Sequence, residues 1–170
     1  MQLSGAKPLL AYGANKYYFH LQQQEGGADV FLQTKRFYSG GPFTGKFDKV
    51  SLHLSEDCGV IDAIRKIQTF CKKQVTCLEG APAEWKLNEA WKALKRADIF
   101  VDFSDNFQAF DVNKQPMERE KLGKGYYTLR LHLPGVYLGE HEKKPMARLQ
   151  IKVSQAIFEP VEENSVCMIE

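Results

Sequence analysis

Two stretches near the C-terminal end, GYYTLRLHLPGVYLG (125–139) and ARLQIKVSQ (147–155), decide the fold class. Both alternate apolar and polar residues, the period of a half-buried β-strand. In the first, Tyr127, Leu129, Leu131 and Leu133 share one face, and Tyr126, Thr128, Arg130 and His132 share the other. In the second, Ala147, Leu149, Ile151 and Val153 oppose Arg148, Gln150 and Lys152. Antiparallel pairing of the two runs would gather Arg, Lys, His and Tyr into one outer strip. Cations that meet phosphates, interleaved with a ring that stacks on a base, are what a groove for single-stranded nucleic acid needs.

Working outward, the rest of the chain adds more strands and a helical middle. Lys16 to Gln24 alternates, Glu25-Gly26-Gly27 signals a turn, and Ala28 to Lys35 reads as a second strand, so a hairpin is expected. Arg36 to Phe47 is a Gly-rich loop with Pro42, and Lys49 to Leu54 alternates again. The period then changes. Val60, Ile61, Ile64, Ile67 and Cys71 follow helical spacing behind Glu56-Asp57, which suits a helix N-terminus. Pro82 opens a second helical pattern through Trp85, Leu87, Trp91 and Leu94. Ile99–Phe103 and Phe107–Val112 are strand-like, divided by the turn signal Ser104-Asp105-Asn106. Strands do not alternate regularly with helices, which disfavours a doubly wound parallel sheet. The expectation is a mainly β (α+β) chain: a small antiparallel, OB-fold-like barrel with a two-helix insertion in the middle.

At 170 residues the chain is long enough for one domain with a sizeable core. The expected division is an OB-like nucleic-acid-binding domain over 1–158 and an acidic tail over 159–170. Four of the 21 acidic residues, Glu159, Glu162, Glu163 and Glu170, lie in that tail, which holds no Lys or Arg. The body therefore keeps 17 acidic against 23 basic residues, an excess of +6. A basic body with an acidic end suits a polyanion binder. Cys58, Cys71, Cys77 and Cys167 form no C-x-x-C pair, so free thiols in a reducing compartment are expected and a zinc site is not. The first residues carry no long apolar run, and no segment approaches the length of a membrane helix. The expected location is cytoplasmic or nuclear, in the host cell if the protein is viral.

Several motifs dissolve when the chemistry is demanded of them. GGPFTGK (40–46) matches the phosphate-binding pattern G-x-x-x-x-G-K. A working loop needs Ser or Thr next, for Mg²⁺, and a helix opening towards the phosphates; here Phe47 and a strand follow, and Pro42 removes a backbone donor. Asp98, Asp102 and Asp105 flank the apolar Ile99-Phe100-Val101. Nuclease chemistry needs a further carboxylate close by, and no spaced signature supplies it. His20, His53 and His132 sit in the polar phase of strands, and none pairs with a nucleophile. The aromatic loop is different. Phe37, Tyr38 and Phe43, with Lys35, Arg36 and Lys46 around them, are harder to place in a core. Stacking is worth roughly 1–3 kcal/mol per base.

Taken together, the strand Val30–Thr34 leading to a loop with Pro42-Phe43, the helical middle, and the late GYYTLRL…GVYLG stretch leading to a basic strand resemble the single-stranded-DNA-binding proteins of large DNA viruses and phages. The resemblance implies an OB-fold core, sequence-independent binding of single strands and a role in replication or recombination. It also implies an acidic tail that recruits replication or recombination proteins. The expected function is therefore non-enzymatic, without cofactor or metal. Arg130, Arg148 and Lys152 are the first candidates for phosphate contacts, with Lys35, Arg36 and Lys46 behind them. Tyr126, Phe37, Tyr38 and Phe43 are the candidates for stacking. Single-stranded DNA, or RNA, is the expected partner, with a homodimer open. The other readings are a metal-dependent nuclease or phosphoryl-transfer enzyme using Asp98 and Asp102, and a structural virion or interaction protein.

Overall fold

The computed structural model describes residues 3–5, 10–13, 16–23, 28–44, 50–77, 99–141 and 144–161. In chain order the strands begin with β1 (Leu3–Gly5), β2 (Leu10–Gly13), β3 (Lys16–Gln23) and β4 (Phe31–Gln33). β5 (Phe37–Ser39), β6 (Phe43–Thr44) and β7 (Val50–Leu54) precede the helix α1 (Ile61–Cys77). After it come β8 (Ile99–Phe110), β9 (Pro116–Met117), β10 (Gly125–His132), β11 (Gly135–His141), β12 (Lys144–Leu149) and β13 (Lys152–Pro160). The chain is mainly β, as its periodicity predicts. It divides into two compact units, one drawn from Met1–Leu32, Ile61–Lys95 and His132–Ile151, the other from Gln33–Val60, Arg96–Leu131 and Lys152–Glu170.

In the first unit the sheet runs β1-β3-β11-β12, with β2 also on β3. Its register sets Val136 between Phe19 and Leu149, and Tyr137 between Tyr18 and Arg148. Pairing alternates accordingly: Val136, Leu138, Ala147 and Leu149 are buried, while Arg148 is exposed. The buried stripe of α1, Ile61, Ile64, Ile67, Cys71 and Val75, has the spacing of one helix face. Burial pushes the Cys71 thiol up to about 12, so it stays protonated and inert. Glu56 and Asp57 do not open α1. They form a separate 3-10 turn closed by Gly59, whose φ of 82° is costly for any residue with a side chain. The second helical pattern, from Pro82, lies outside the described residues.

The other sheet runs β4-β10-β13-β8-β7-β6, with β5 on β10 and β9 on β8. Ignoring the short edge pieces, the strands of this sheet are out of sequence order. The sheet is mixed rather than wholly antiparallel, because β13 runs parallel to β8. That pairing is permitted by the long excursion through β10, β11 and β12 between them. Val30, Leu52, Leu54, Val101, Leu129, Leu131, Val153, Ala156 and Phe158 are among the buried side chains of the chain.

Three local expectations are corrected. The runs around 16–24 and 28–35 do not make a hairpin: Gln23 donates its N–H to the Ala28 carbonyl (2.8 Å) and its side-chain Nε2 to the Asp29 carbonyl (2.8 Å), but β3 pairs with β1, β2 and β11, while β4 joins the other sheet. Ser104-Asp105-Asn106 does not reverse the chain. β8 passes straight through it, and the register advances from Phe103 to Gln108 while β13 advances only from Val153 to Gln155. The turn-forming residues are absorbed as a bulge, with Phe103 and Phe107 stacked at 4.4 Å. Finally, the two runs of the C-terminal stretch do not pair as units. Pro134, which has no N–H for a ladder, separates β10 from β11, and Gln150–Ile151 separates β12 from β13. Each run thereby changes sheets.

One buried side chain completes the β10 ladder. Thr34 N–H donates to the Leu129 carbonyl (2.9 Å), and Leu129 N–H donates to Thr34 Oγ1 (2.8 Å) in place of a backbone carbonyl. Thr34→Val keeps the shape and orphans a buried donor. It is expected to lower unfolding free energy by about 1–3 kcal/mol in chemical denaturation; an unchanged midpoint would show the N–H finds another acceptor.

Candidate nucleic-acid interface

The alternation of β10 settles which side chains face out. Tyr127, Leu129 and Leu131 are buried, Arg130 is exposed, and Tyr126 and Thr128 are half-buried. The antiparallel register Tyr126↔Tyr38 and Tyr127↔Phe37 carries the division onto β5, because directly opposed residues share a face. Tyr38, 49% exposed, meets Tyr126 edge-on with ring centroids 5.8 Å apart. On the other side, Phe37 (2% exposed) packs against Tyr127 at 6.4 Å, and Tyr127 packs on Phe158 at 4.9 Å. Burial pushes the Tyr127 phenol pKa upward, and its hydroxyl donates to the Gly123 carbonyl at 2.6 Å. Phe37 therefore belongs to the core and leaves the set of stacking candidates: its strand phase, invisible in a Gly-rich loop, turns it inward.

Gly125 lies beside the backbone of Glu159 and Pro160, and the Arg130 carbonyl accepts from Ser154 Oγ (3.0 Å), so β10 and β13 run in opposite directions. The outer face continues through the pairs Gln155↔Gln108 and Ile157↔Phe110 on β13 and β8. A groove of about 280 Å³ opens there, lined in part by Phe110, Ile157, Thr128, Gln155, Arg130 and Lys114. Gln33 also reaches it. Apolar floor and convergent polar rim are the usual make-up of a ligand groove. Lys114 is presented by a tight turn in which Asp111 Oδ1 accepts from the N–H groups of Asn113 (2.8 Å) and Gln115 (2.9 Å). The turn holds Lys114 at φ 62°, a left-handed conformation that costs a side chain about 1–2 kcal/mol.

The remaining candidates scatter. Arg36 is exposed and lies over the Tyr126 ring, its Cζ 3.8 Å from the centroid, while ion-pairing with Glu159 at 2.9 Å. Lys152 sits opposite Asp102 in the parallel register, and Asp102 accepts from Ser51 Oγ at 2.7 Å. A carboxylate in the neighbouring position weakens Lys152 as a phosphate ligand. Lys35 is exposed, its alkyl chain beside Gly59, and Phe43 is 43% exposed on β6. Arg148 belongs to the first unit, opposite Tyr137, and not to the sheet that carries Arg130. Lys46 and Asp98 lie outside the described residues, as do residues 162–170 of the acidic tail. Glu159 and Pro160 are the end of β13, so the strand extends beyond residue 158. His132 is less open than its polar phase predicts: it stacks on Phe31 at 4.8 Å, with Asp29 at 3.5 Å.

Sequence reasoning missed Phe110, Lys114, Gln155 and Ile157. The signal for Phe110 was its phase against buried Ala109; for Lys114 it was the Asp111–Gln115 turn, whose position over the face no pattern reveals. Among the described residues no group of three or more Asp, Glu, His or Cys is placed to hold a metal ion. The next described element after GGPFTGK is the strand β7, and Phe43–Thr44 within the motif is a strand paired to β7. Among the described residues no helix is long and apolar enough to cross a membrane.

No protein-family model matches the sequence, and no curated protein does. Three solved structures with partial likeness are forms of one protein. The single-stranded DNA-binding protein from bacteriophage Enc34 in complex with ssDNA is 13% identical, with 92% of this chain and 96% of that chain covered and a TM-score of 0.41. Its C-terminal truncation is 15% identical over 95% and 96%, at 0.41. The protein without those qualifiers is 14% identical over 96% and 94%, at 0.40. At such scores the likeness assigns neither a ligand nor a residue role.

Proposed function

We propose that this chain binds single-stranded DNA without regard to base sequence, and does so without catalysis. The observation that carries the reading is the composition of one continuous sheet face. Tyr38 and Tyr126 stand at one end with Arg36, and a groove floored by Phe110 and Ile157 and rimmed by Arg130 and Lys114 lies along it. Rings recognise the π-face that every base has, and cations recognise the backbone that every strand has, so neither selects a sequence. Duplex DNA hides its base faces and loses the stacking contribution. Arg130 and Lys114 are the phosphate ligands of this face, Tyr38 the open ring. Phe43 contributes from β6 and Lys35 from the loop before β5. A protein of this kind serves replication or recombination, where single strands are exposed.

The test is a fluorescence titration with a labelled single strand and its duplex across a salt series. Binding of the single strand is expected to weaken linearly in log–log form, with a slope of about −1.4 from two phosphate contacts. The duplex is expected to bind more weakly at every salt concentration. Equal or tighter duplex binding, or retention indifferent to salt, would overturn the assignment.

A further inference from the structure

Tyr126 does not offer a bare ring. The Arg36 guanidinium carbon lies 3.8 Å above it, the separation of two groups in van der Waals contact. The guanidinium is held there: Arg36 Nε (3.0 Å) and Nη2 (2.9 Å) both donate to Glu159 Oε2. Tyr38 supports Tyr126 from its edge. The Arg36 side chain is nonetheless 54% exposed.

We propose that Tyr126 and Arg36 form a two-layer platform on which one nucleobase stacks, the guanidinium plane being the contact surface and Glu159 the positioning residue that keeps it flat on the ring. The proposal rests on the nucleic-acid reading of this face and deepens it. A planar, delocalised cation stacks on a base as readily as on a tyrosine, which the compact ammonium of lysine does not. The charge state points the same way. A carboxylate already answers Arg36, and a phosphate entering beside it would meet the Glu159 charge as well. Arg36 is therefore poorly placed as a backbone ligand and well placed as a surface. This reverses the role its charge alone suggests in the sequence.

The experiment compares the full-length chain with Arg36→Lys, Arg36→Ala and Glu159→Gln, titrating a labelled oligothymidylate and the same strand with abasic sites across a salt series. Arg36→Lys preserves the charge and is expected to cost about tenfold in affinity for the intact strand. The salt slope should not change, because no phosphate contact is lost. The loss should shrink on the abasic strand, where there is no base to stack. Glu159→Gln frees Arg36 to reach a phosphate and should steepen the slope by about 0.7. Arg36→Lys with unaltered affinity, or Arg36→Ala with a slope shallower by about 0.7, would make Arg36 an ordinary phosphate ligand and overturn the proposal alone. No binding by the unaltered chain would overturn the reading of the face and the platform together. Melting temperatures of all variants should match, since both side chains are about half exposed.

Discussion

The double variant Arg130→Glu, Lys114→Gly is expected to lose single-strand binding by on the order of a hundredfold or more while remaining folded. Arg130 is exposed on β10, so its reversal leaves the buried core intact. It removes one attraction and sets a carboxylate against the backbone, and like-charge juxtaposition costs several kcal/mol. Glycine is the right replacement at Lys114 because the backbone there has φ 62°. The change removes a cation and relieves strain at once, so the melting temperature should hold or rise. The salt slope should become shallower by about 1.4, two phosphate contacts at roughly 0.7 each. Binding by the double variant at full strength would remove the groove from the interface.

Gly125→Ala is expected to destabilise the protein by about 3 kcal/mol, the upper end of the usual range for overpacking. A Cβ at this position would fall on the Glu159 carbonyl oxygen, with Phe158 Cε1 at 2.7 Å and Pro160 Cα at 3.0 Å. Two of those neighbours are backbone, and no rotamer change clears them. Either β10 and β13 separate or the start of β10 shifts. Both disturb the site, because Tyr126 follows Gly125 and Glu159, which fixes Arg36, is part of the obstacle. Denaturant unfolding should show the lower midpoint, and binding at low temperature, where the variant stays folded, should also weaken. Gly123→Ala is the control: nothing lies within 4 Å of its added carbon. Equal stability of the two variants would mean that the close approach of the strands is not required.

How much was legible follows from the range of each interaction. Alternation is a property of neighbours along one strand, and it correctly separated Tyr126, Thr128 and Arg130 from Tyr127, Leu129 and Leu131. Helical spacing likewise announced the buried stripe of α1. Which strand lies beside which is not a property of neighbours along the chain, and no local pattern carries it. Phe37 and Tyr38 look equivalent in a Gly-rich loop, yet pairing with β10 buries one and exposes the other. Ser104-Asp105-Asn106 reads as a reversal, yet β13 pairs with β8 both before and after it and carries it through as a bulge. Arg130 and Arg148 share a pattern, yet breaks at Pro134 and Gln150–Ile151 send them to different units.

Composition and periodicity thus determined the class of the protein: mainly β, with a helix inserted in the middle, a basic body and outward rings and cations on its late strands. Tertiary structure decided which of those rings and cations act together. It brought Lys114 and Phe110 to Arg130, laid Arg36 on Tyr126 and set Asp102 beside Lys152. The physical reason is that a side chain's face is set within a strand by sterics of adjacent residues, whereas its neighbours across strands are set by register, and register is chosen by the burial of the whole sheet at once.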